Sequence, residues 1–240
     1  MIIINQPNNP SGVRIPTATL KEIVAFAKER NIILFSDEVY RPLYHNLGED
    51  GADIPPPATS LGYERTVATG SMSKAYALAG VRIGWVVSRD KSIIDAVFSA
   101  RDYTTISVSQ IDDQLARYAL SDNVRPNLLR RNIELAKTNL ALLAGFIERY
   151  KSVCDWVKPN AGTTAFVRFR KGRDGEPVDD VEFALDVLEK TKVFFVPGSK
   201  CFGEGREFAG YVRIGYVCRT EVLEEGLQKL GEYLEKYHNL

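Results

Sequence analysis

Residues 32–40 read Ile32-Ile33-Leu34-Phe35-Ser36-Asp37-Glu38-Val39-Tyr40, a short unbroken apolar run that stops at two consecutive acids. A run of that length bounded by polar residues predicts a buried strand of a parallel sheet. Just upstream, Leu20, Ile23, Val24 and Ala27 recur at helical spacing and predict a helix over residues 17–30. Its start is marked either by Thr17 as the cap or by a capping box of Thr19 and Glu22. Further upstream, Ile2-Ile3-Ile4 predicts another buried strand, and Gln6-Pro7-Asn8-Asn9-Pro10-Ser11-Gly12 is dense in turn formers. Downstream, Thr66-Val67-Ala68-Thr69 predicts a strand opening into Gly70-Ser71-Met72-Ser73-Lys74, and residues 81–87 predict one more, with Arg82 near its start. Strand, helix and strand in this rhythm indicate an α/β layer with a mostly parallel sheet.

Beyond residue 90 helical patterns dominate, over residues 91–101, 109–120 and 126–150. The last carries Ile133, Ala136, Leu140, Leu143 and Ile147 on one face. The pattern then changes to strands over 163–169, 193–196 and 211–217, with a helix striped by Val181, Ala184, Leu185 and Leu188 between them. Thr220 is placed to cap a final helix that turns Leu223, Leu227, Leu230 and Leu234 inward. The expected division is part of a large α/β domain over residues 1–121, a connecting long helix over 122–155, and a smaller α+β domain over 156–240. Lys171-Gly172-Arg173-Asp174-Gly175-Glu176-Pro177 reads as a polar loop.

Composition narrows the chemistry. The 240 residues carry 31 Lys and Arg against 31 Asp and Glu, which speaks against a dedicated nucleic-acid binder. No apolar run approaches the roughly 18 residues of a membrane span, and residues 139–147, the longest candidate, read as an amphipathic helix. Neither a signal peptide nor another targeting signal is visible, so the cytoplasm is the default compartment. There are two histidines, His45 and His238, which excludes a His-rich metal site and leaves any Ser/His/Asp triad to His45. Cys154, Cys201 and Cys218 match neither a CxxC motif nor a disulfide framework and read as small buried hydrophobes in a reducing compartment.

The candidate site residues are therefore lysine, carboxylate, tyrosine and arginine. Lys74 follows a predicted buried strand, with small residues and two hydroxyls around it. At the mouth of an α/β sheet such an amine can form a Schiff base, although a solvated loop lysine is the simpler account of Lys74 alone. Ser71 also stands three residues before Lys74, as in a serine-hydrolase Ser-x-x-Lys motif, but the companion Ser-Asp-Asn and Lys-Thr-Gly elements are missing. Asp37 ends its strand at the carboxyl edge, where ligands of α/β folds bind. There it can pair with a protonated ring nitrogen or simply cap the next turn, and the hydroxyl of Tyr40 can reach the same place. Arg82 and Arg213, both among apolar neighbours, call for anionic partners such as a phosphate or a carboxylate.

Asn9-Pro10-Ser11-Gly12, Asp37-Glu38-Val39-Tyr40, Ser71-Met72-Ser73-Lys74 with Arg82, and Arg213-Ile214-Gly215 occur in the order and rough spacing of one family. The chain resembles the class I/II aminotransferases, pyridoxal-phosphate enzymes of the aspartate-aminotransferase fold (fold type I). The resemblance implies that Lys74 carries pyridoxal 5′-phosphate (PLP) as a Schiff base and moves a proton, and that Asp37 holds the pyridinium nitrogen protonated. It implies that Asn9 and Tyr40 bond the ring's phenolic oxygen, that Ser71, Arg82 and less directly Ser73 bind the phosphate, and that Arg213 clamps the substrate carboxylate, with Asn9 also facing the substrate. In the family a substantial segment precedes the Asn-Pro-x-Gly motif, so these residues read as a chain lacking that N-terminal segment. The expected function is amino-group transfer between an α-amino acid and a 2-oxo acid, in a homodimer if the large domain is complete. The alternatives are a PLP-dependent carbon–sulfur or other α,β-eliminating lyase, and a shortened non-catalytic relative that acts as a binding or partner chain.

Overall fold

A computed structural model describes residues 1–45, 54–171 and 175–237. His238 and residues 172–174 of the polar loop lie outside these. The chain divides into two compact units, the first of Met1–Asn9, Val13–Glu134 and Asn160–Gly162, the second of Pro10–Gly12, Leu135–Pro159 and Thr163–Leu240.

In the first unit the apolar runs pair side by side. Strands β1 (Ile2–Asn5), β2 (Leu34–Asp37) and β3 (Thr66–Ser71) are parallel and adjacent in chain order. Their register aligns Ile2 with Leu34 and Thr66, and Asn5 with Asp37 and Thr69. Helix α1 (Thr17–Glu29) connects β1 to β2 and buries Leu20, Val24 and Ala27. Val24, Ala27, Leu34 and Tyr63 form a core cluster, against which Ile2, Ile4, Ile23 and Leu61 pack. The Tyr63 hydroxyl donates to Ile32 O at 3.0 Å, which fixes the entrance to β2.

Three expectations are corrected here. Ile3 is 65% exposed, because strand alternation sends Ile2 and Ile4 to the α1 cluster and Ile3 to the other face. Helix α1 starts on Thr17 itself, so the cap position falls to Pro16, which makes no side-chain cap hydrogen bond, and not to Thr17 or Thr19. Pro16, whose ring presets φ at −58°, precedes it, and its carbonyl accepts from Leu20 N at 2.9 Å. The strand expected over residues 81–87 begins later and runs the other way. A single 3-10 turn occupies Ala79–Val81, Arg82 is left-handed at φ 51°, and β4 (Gly84–Ser88) then pairs antiparallel to β3. Positive φ is incompatible with an extended strand, so Arg82 lies in the turn before β4.

Helix α2 (Lys91–Arg101) is capped by Asp90, which accepts from Ser92 N at 2.9 Å, and α3 (Gln110–Leu120) by Ser109. Helix α4 (Arg125–Arg149) begins in this unit, where Asn132 Nδ2 donates to Ala75 O at 2.9 Å.

The second unit is built on an antiparallel sheet of β5 (Cys154–Trp156), β6 (Thr164–Phe169), β7 (Val196–Pro197) and β8 (Tyr211–Gly215), in the order β5-β6-β8-β7. Its core joins Leu143 and Ile147 of α4, Phe183 and Val187 of α5 (Asp180–Thr191), and Leu230 and Leu234 of α7 (Thr220–Tyr237). The strand expected over 193–196 shrinks to Val196–Pro197. Lys192 ends α5 in the left-handed conformation (φ 63°), and the following residues are spent leaving it. Asn139, fully buried, donates to Tyr216 O at 2.8 Å and Cys218 O at 2.9 Å, and accepts from Thr220 Oγ1 at 2.9 Å. One side chain thereby satisfies the backbone between β8 and α7. Among the described residues no helix is long and apolar enough to cross a membrane.

Candidate active site

The parallel register of the first unit gathers side chains at the carboxyl ends of β1, β2 and β3. Asp37 Oδ1 accepts from Thr69 Oγ1 at 2.9 Å, its neighbour in register, and from Val39 N at 3.3 Å. On the other side Asn5 Nδ2 donates to Asp37 O at 3.2 Å, while Asn5 Oδ1 accepts from Asn9 N at 2.6 Å. Asn5 therefore ties the loop carrying Asn9 to the edge where Asp37 stands. Neither Asn5 nor Thr69 is singled out by the motifs. Each is detectable only once the register is known.

Beyond β3 the chain turns tightly around two hydroxyls. Ser71 Oγ lies 2.9 Å from Ser73 Oγ and 3.3 Å from Ile83 O, and it accepts from Ser73 N at 3.0 Å. Met72 and Ala75 are fully buried and anchor this turn, which leaves the intervening Lys74 exposed. Its Nζ lies 5.7 Å from the ring centroid of Tyr40, which is itself buried. A cation at that distance is attracted by the ring quadrupole. Glycine permits the crossing beneath. A Cβ on Gly84 would come 2.9 Å from Gly70 O, and one on Gly70 would meet Trp85 Nε1 at 2.2 Å.

Arg82 is exposed, and its Nη1 donates to Ala79 O at 2.9 Å. It immediately precedes Ile83, whose carbonyl accepts from Met72 N at 3.0 Å, so its backbone borders the Ser71 turn. The structure thus brings Asn9, Asp37, Tyr40, Ser71, Ser73, Lys74 and the backbone of Arg82 to one region of the first unit. Arg213 belongs to the second unit. It occupies β8 between the buried Val212 and Ile214, opposite Phe166, with its guanidinium 5.5 Å from the Phe202 ring centroid. His45 is accounted for by packing: it is buried, with Nε2 3.1 Å from Gly162 O.

The profile of the family described as aminotransferase class I and II matches residues 1–230. The chain is 31% identical over 235 residues to an aspartate aminotransferase of Thermotoga maritima, covering 97% of this chain and 55% of that protein. It is 29% identical to capreomycidine synthase of Streptomyces vinaceus, covering 98% of this chain and 55% of that one. The crystal structure of a PLP-dependent aminotransferase from Streptococcus suis superposes with a TM-score of 0.83 at 34% identity, over 99% of this chain and 57% of that one. The chain therefore spans little more than half the length of the relatives it matches.

Proposed function

The chain belongs to the class I and II aminotransferase family, and on that premise we propose that the whole protein transfers an amino group between an α-amino acid and a 2-oxo acid with PLP as its cofactor. Its fold is that of the fold type I PLP-dependent aminotransferases. The observation that carries the reading is the exposed Lys74 amine, set against the Tyr40 ring at the strand edge that also holds Asp37.

The donor set suits PLP. Two hydroxyls 2.9 Å apart match a phosphate, and Arg82, whose backbone borders the same turn, carries the cation proposed to join them. An exposed primary amine matches an aldehyde carbon, and a carboxylate at the strand end matches a protonated ring nitrogen. When bound, PLP supplies an electron sink for bonds broken at the substrate Cα. In this reading Ser71, Ser73 and Arg82 hold the phosphate, and Asp37 keeps a proton on the ring nitrogen. Asn9 and Tyr40 donate to the phenolic oxygen. Lys74 would hold the cofactor through Nζ and would take and return the proton at the substrate Cα. A positioned base of that kind is worth about 10²–10⁴-fold. Arg213 is assigned the substrate α-carboxylate on the match of a planar fork to a planar anion, and Asn9 a further contact with the substrate. A cytoplasmic homodimer belongs to the same proposal. Phe98, Tyr103, Ile111 and Tyr118, all large and exposed, support a covered surface there.

Likeness to capreomycidine synthase, a relative not named as an aminotransferase, supports a second reading, a reaction other than amino-group transfer, for which an α,β-eliminating lyase is the candidate. The retention of Lys74, Asp37, Tyr40, Arg82 and Arg213 speaks against a non-catalytic partner chain. Borohydride reduction of the chain mixed with PLP should place a pyridoxyl group on Lys74, read by peptide mass spectrometry, and Lys74→Ala should abolish both the visible absorption that stays with the protein after unbound PLP is removed and any turnover. Labelling confined to other lysines, or transamination by Lys74→Ala, would overturn the assignment. A keto-acid product from an amino-acid panel separates the transaminase from the lyase.

A further inference from the structure

Glu38 follows Asp37 directly, yet the two carboxylates have opposite surroundings. Ser36 and Glu38 are 0% and 4% exposed, whereas Asp37 between them is only partly buried. Alternation along the chain places Ser36 and Glu38 on the side away from Asp37. There Glu38 Oε1 accepts from Ser36 Oγ at 3.0 Å and from Ala58 N at 2.9 Å, and Oε2 pairs with Arg41 Nε at 3.1 Å. Arg41 in turn donates to Pro55 O and lies 5.4 Å from the Tyr44 ring centroid. The backbone of the same residues is closed on itself. Glu38 N donates to Thr69 O at 3.0 Å, and Arg41 N to Glu38 O at 2.9 Å.

Residues 38–41 are thus one turn, tied by the main chain and braced by an ion pair between the buried Glu38 and the partly buried Arg41. Tyr40 is the third residue of that turn, and its ring is the one beside Lys74 Nζ. A buried ion pair is often replaceable by apolar side chains without loss of stability, so bulk stability is a poor account of this one. We propose that Glu38 is a positioning residue: through the 38–41 turn it sets the Tyr40 ring against the Lys74 amine and so tunes the reactivity of that amine. The significance for catalysis rests on the function proposed above. The placement does not.

The test uses the apo form of the 240-residue chain. Lys74 is labelled with trinitrobenzenesulfonate at pH 8 and quantified by peptide mass spectrometry. A surface cation–π contact corresponds to about 2–5-fold in an equilibrium, so Glu38→Gln should change the labelling rate of Lys74 by about that factor. The change should vanish when Tyr40→Leu is already present. Val24→Ala, a core change in the α1 cluster, should lower stability and leave Lys74 labelling as it was. An unchanged rate in Glu38→Gln overturns the proposal, as does a change of the same size in the Tyr40→Leu background. If Glu38→Gln does not fold, Ser36→Ala removes one donor to the same carboxylate and should shift the rate in a Tyr40-dependent way; no shift there is equally fatal. A parallel titration with PLP separates the two layers. Absence of a visible band in the unsubstituted chain overturns the cofactor assignment, while the labelling result stands or falls on Glu38 alone.

Discussion

Gly70→Ala is a small change with a calculable effect. Gly70 is the last but one residue of β3, opposite Trp85 of β4, and its backbone conformation is one that alanine also adopts. The added methyl would lie 2.2 Å from Trp85 Nε1 and 2.3 Å from Cε2, far inside the roughly 3.5–4.0 Å of a carbon contact. Gly70 is held in register by its pairing with Trp85 within the β3–β4 ladder, so the indole is the group that must move. Trp85 is 38% exposed, and swinging its ring outward would uncover more of it. If that is on the order of 100 Å² of apolar surface, the loss is about 2.5 kcal/mol. The edge-on contact with Tyr76, at 6.5 Å between centroids, goes with it; such pairs contribute about 0.5–1.5 kcal/mol. Alanine recovers about 0.5–1 kcal/mol of backbone entropy. The expected net cost is about 2–3.5 kcal/mol, at or slightly above the upper end of the range for overpacking. Trp85→Ala removes the obstacle, so Gly70→Ala should cost almost nothing in that background. Hydrogen exchange of the β3 and β4 amides reads the first unit directly and gives both values. A Gly70→Ala variant within about 0.5 kcal/mol of the parent, or an equal cost with and without the indole, would refute the reasoning.

Two further outcomes follow from buried groups of the second unit. Asp180, 3% exposed, accepts from Ser199 N and Oγ at 2.9 Å each and from Gly210 N at 3.4 Å, so one carboxylate holds both the start of α6 (Gly198–Phe202) and the approach to β8. Asp180→Ala strands those donors and should cost about 3 kcal/mol, seen as lost exchange protection over residues 198–213; undiminished protection would contradict it. Burial, aided by the neighbouring Asp155 charge, pushes the Cys154 thiol up from 9.0 to about 12. The stability associated with its neutral form is complete below about pH 9 and lost as the pH climbs toward 12. At pH 8 iodoacetamide should therefore alkylate the exposed Cys201 and spare Cys154, and alkylation of Cys154 in the folded chain would count against this burial.

Much of the architecture is written in local patterns. Helix α2 begins and ends where apolar spacing places it, and Asp37 stands at a strand end because an apolar run stops there. Other features depend on partners distant in the chain. Arg82 reads as a strand residue from its neighbours Val81 and Ile83, but the 3-10 turn before it and the pairing of Gly84 with Ser71 keep it out. The start of α1 at Pro16 escapes a search for polar caps because a fixed φ replaces a capping side chain. Asn5 and Thr69 carry no motif signal, since their role comes from lying beside Asp37 in register. Glu38 was visible as a letter in the Asp37–Tyr40 motif, but its burial and its ion pair with Arg41 come from tertiary packing.

The register of β2 also acts as an address. Two acids of nearly equal chemistry sit side by side, and only the parity of their position decides which stays partly exposed at the strand edge and which is sealed away. A slip of one residue against β1 and β3 would bring Glu38 to the edge beside Thr69 and turn Asp37 onto the buried face, into the place Ser36 now holds. Neither acid would then be of the right length for its new place. A one-residue insertion or deletion within β2 can therefore leave hydrophobic content and net charge almost untouched and still erase the site.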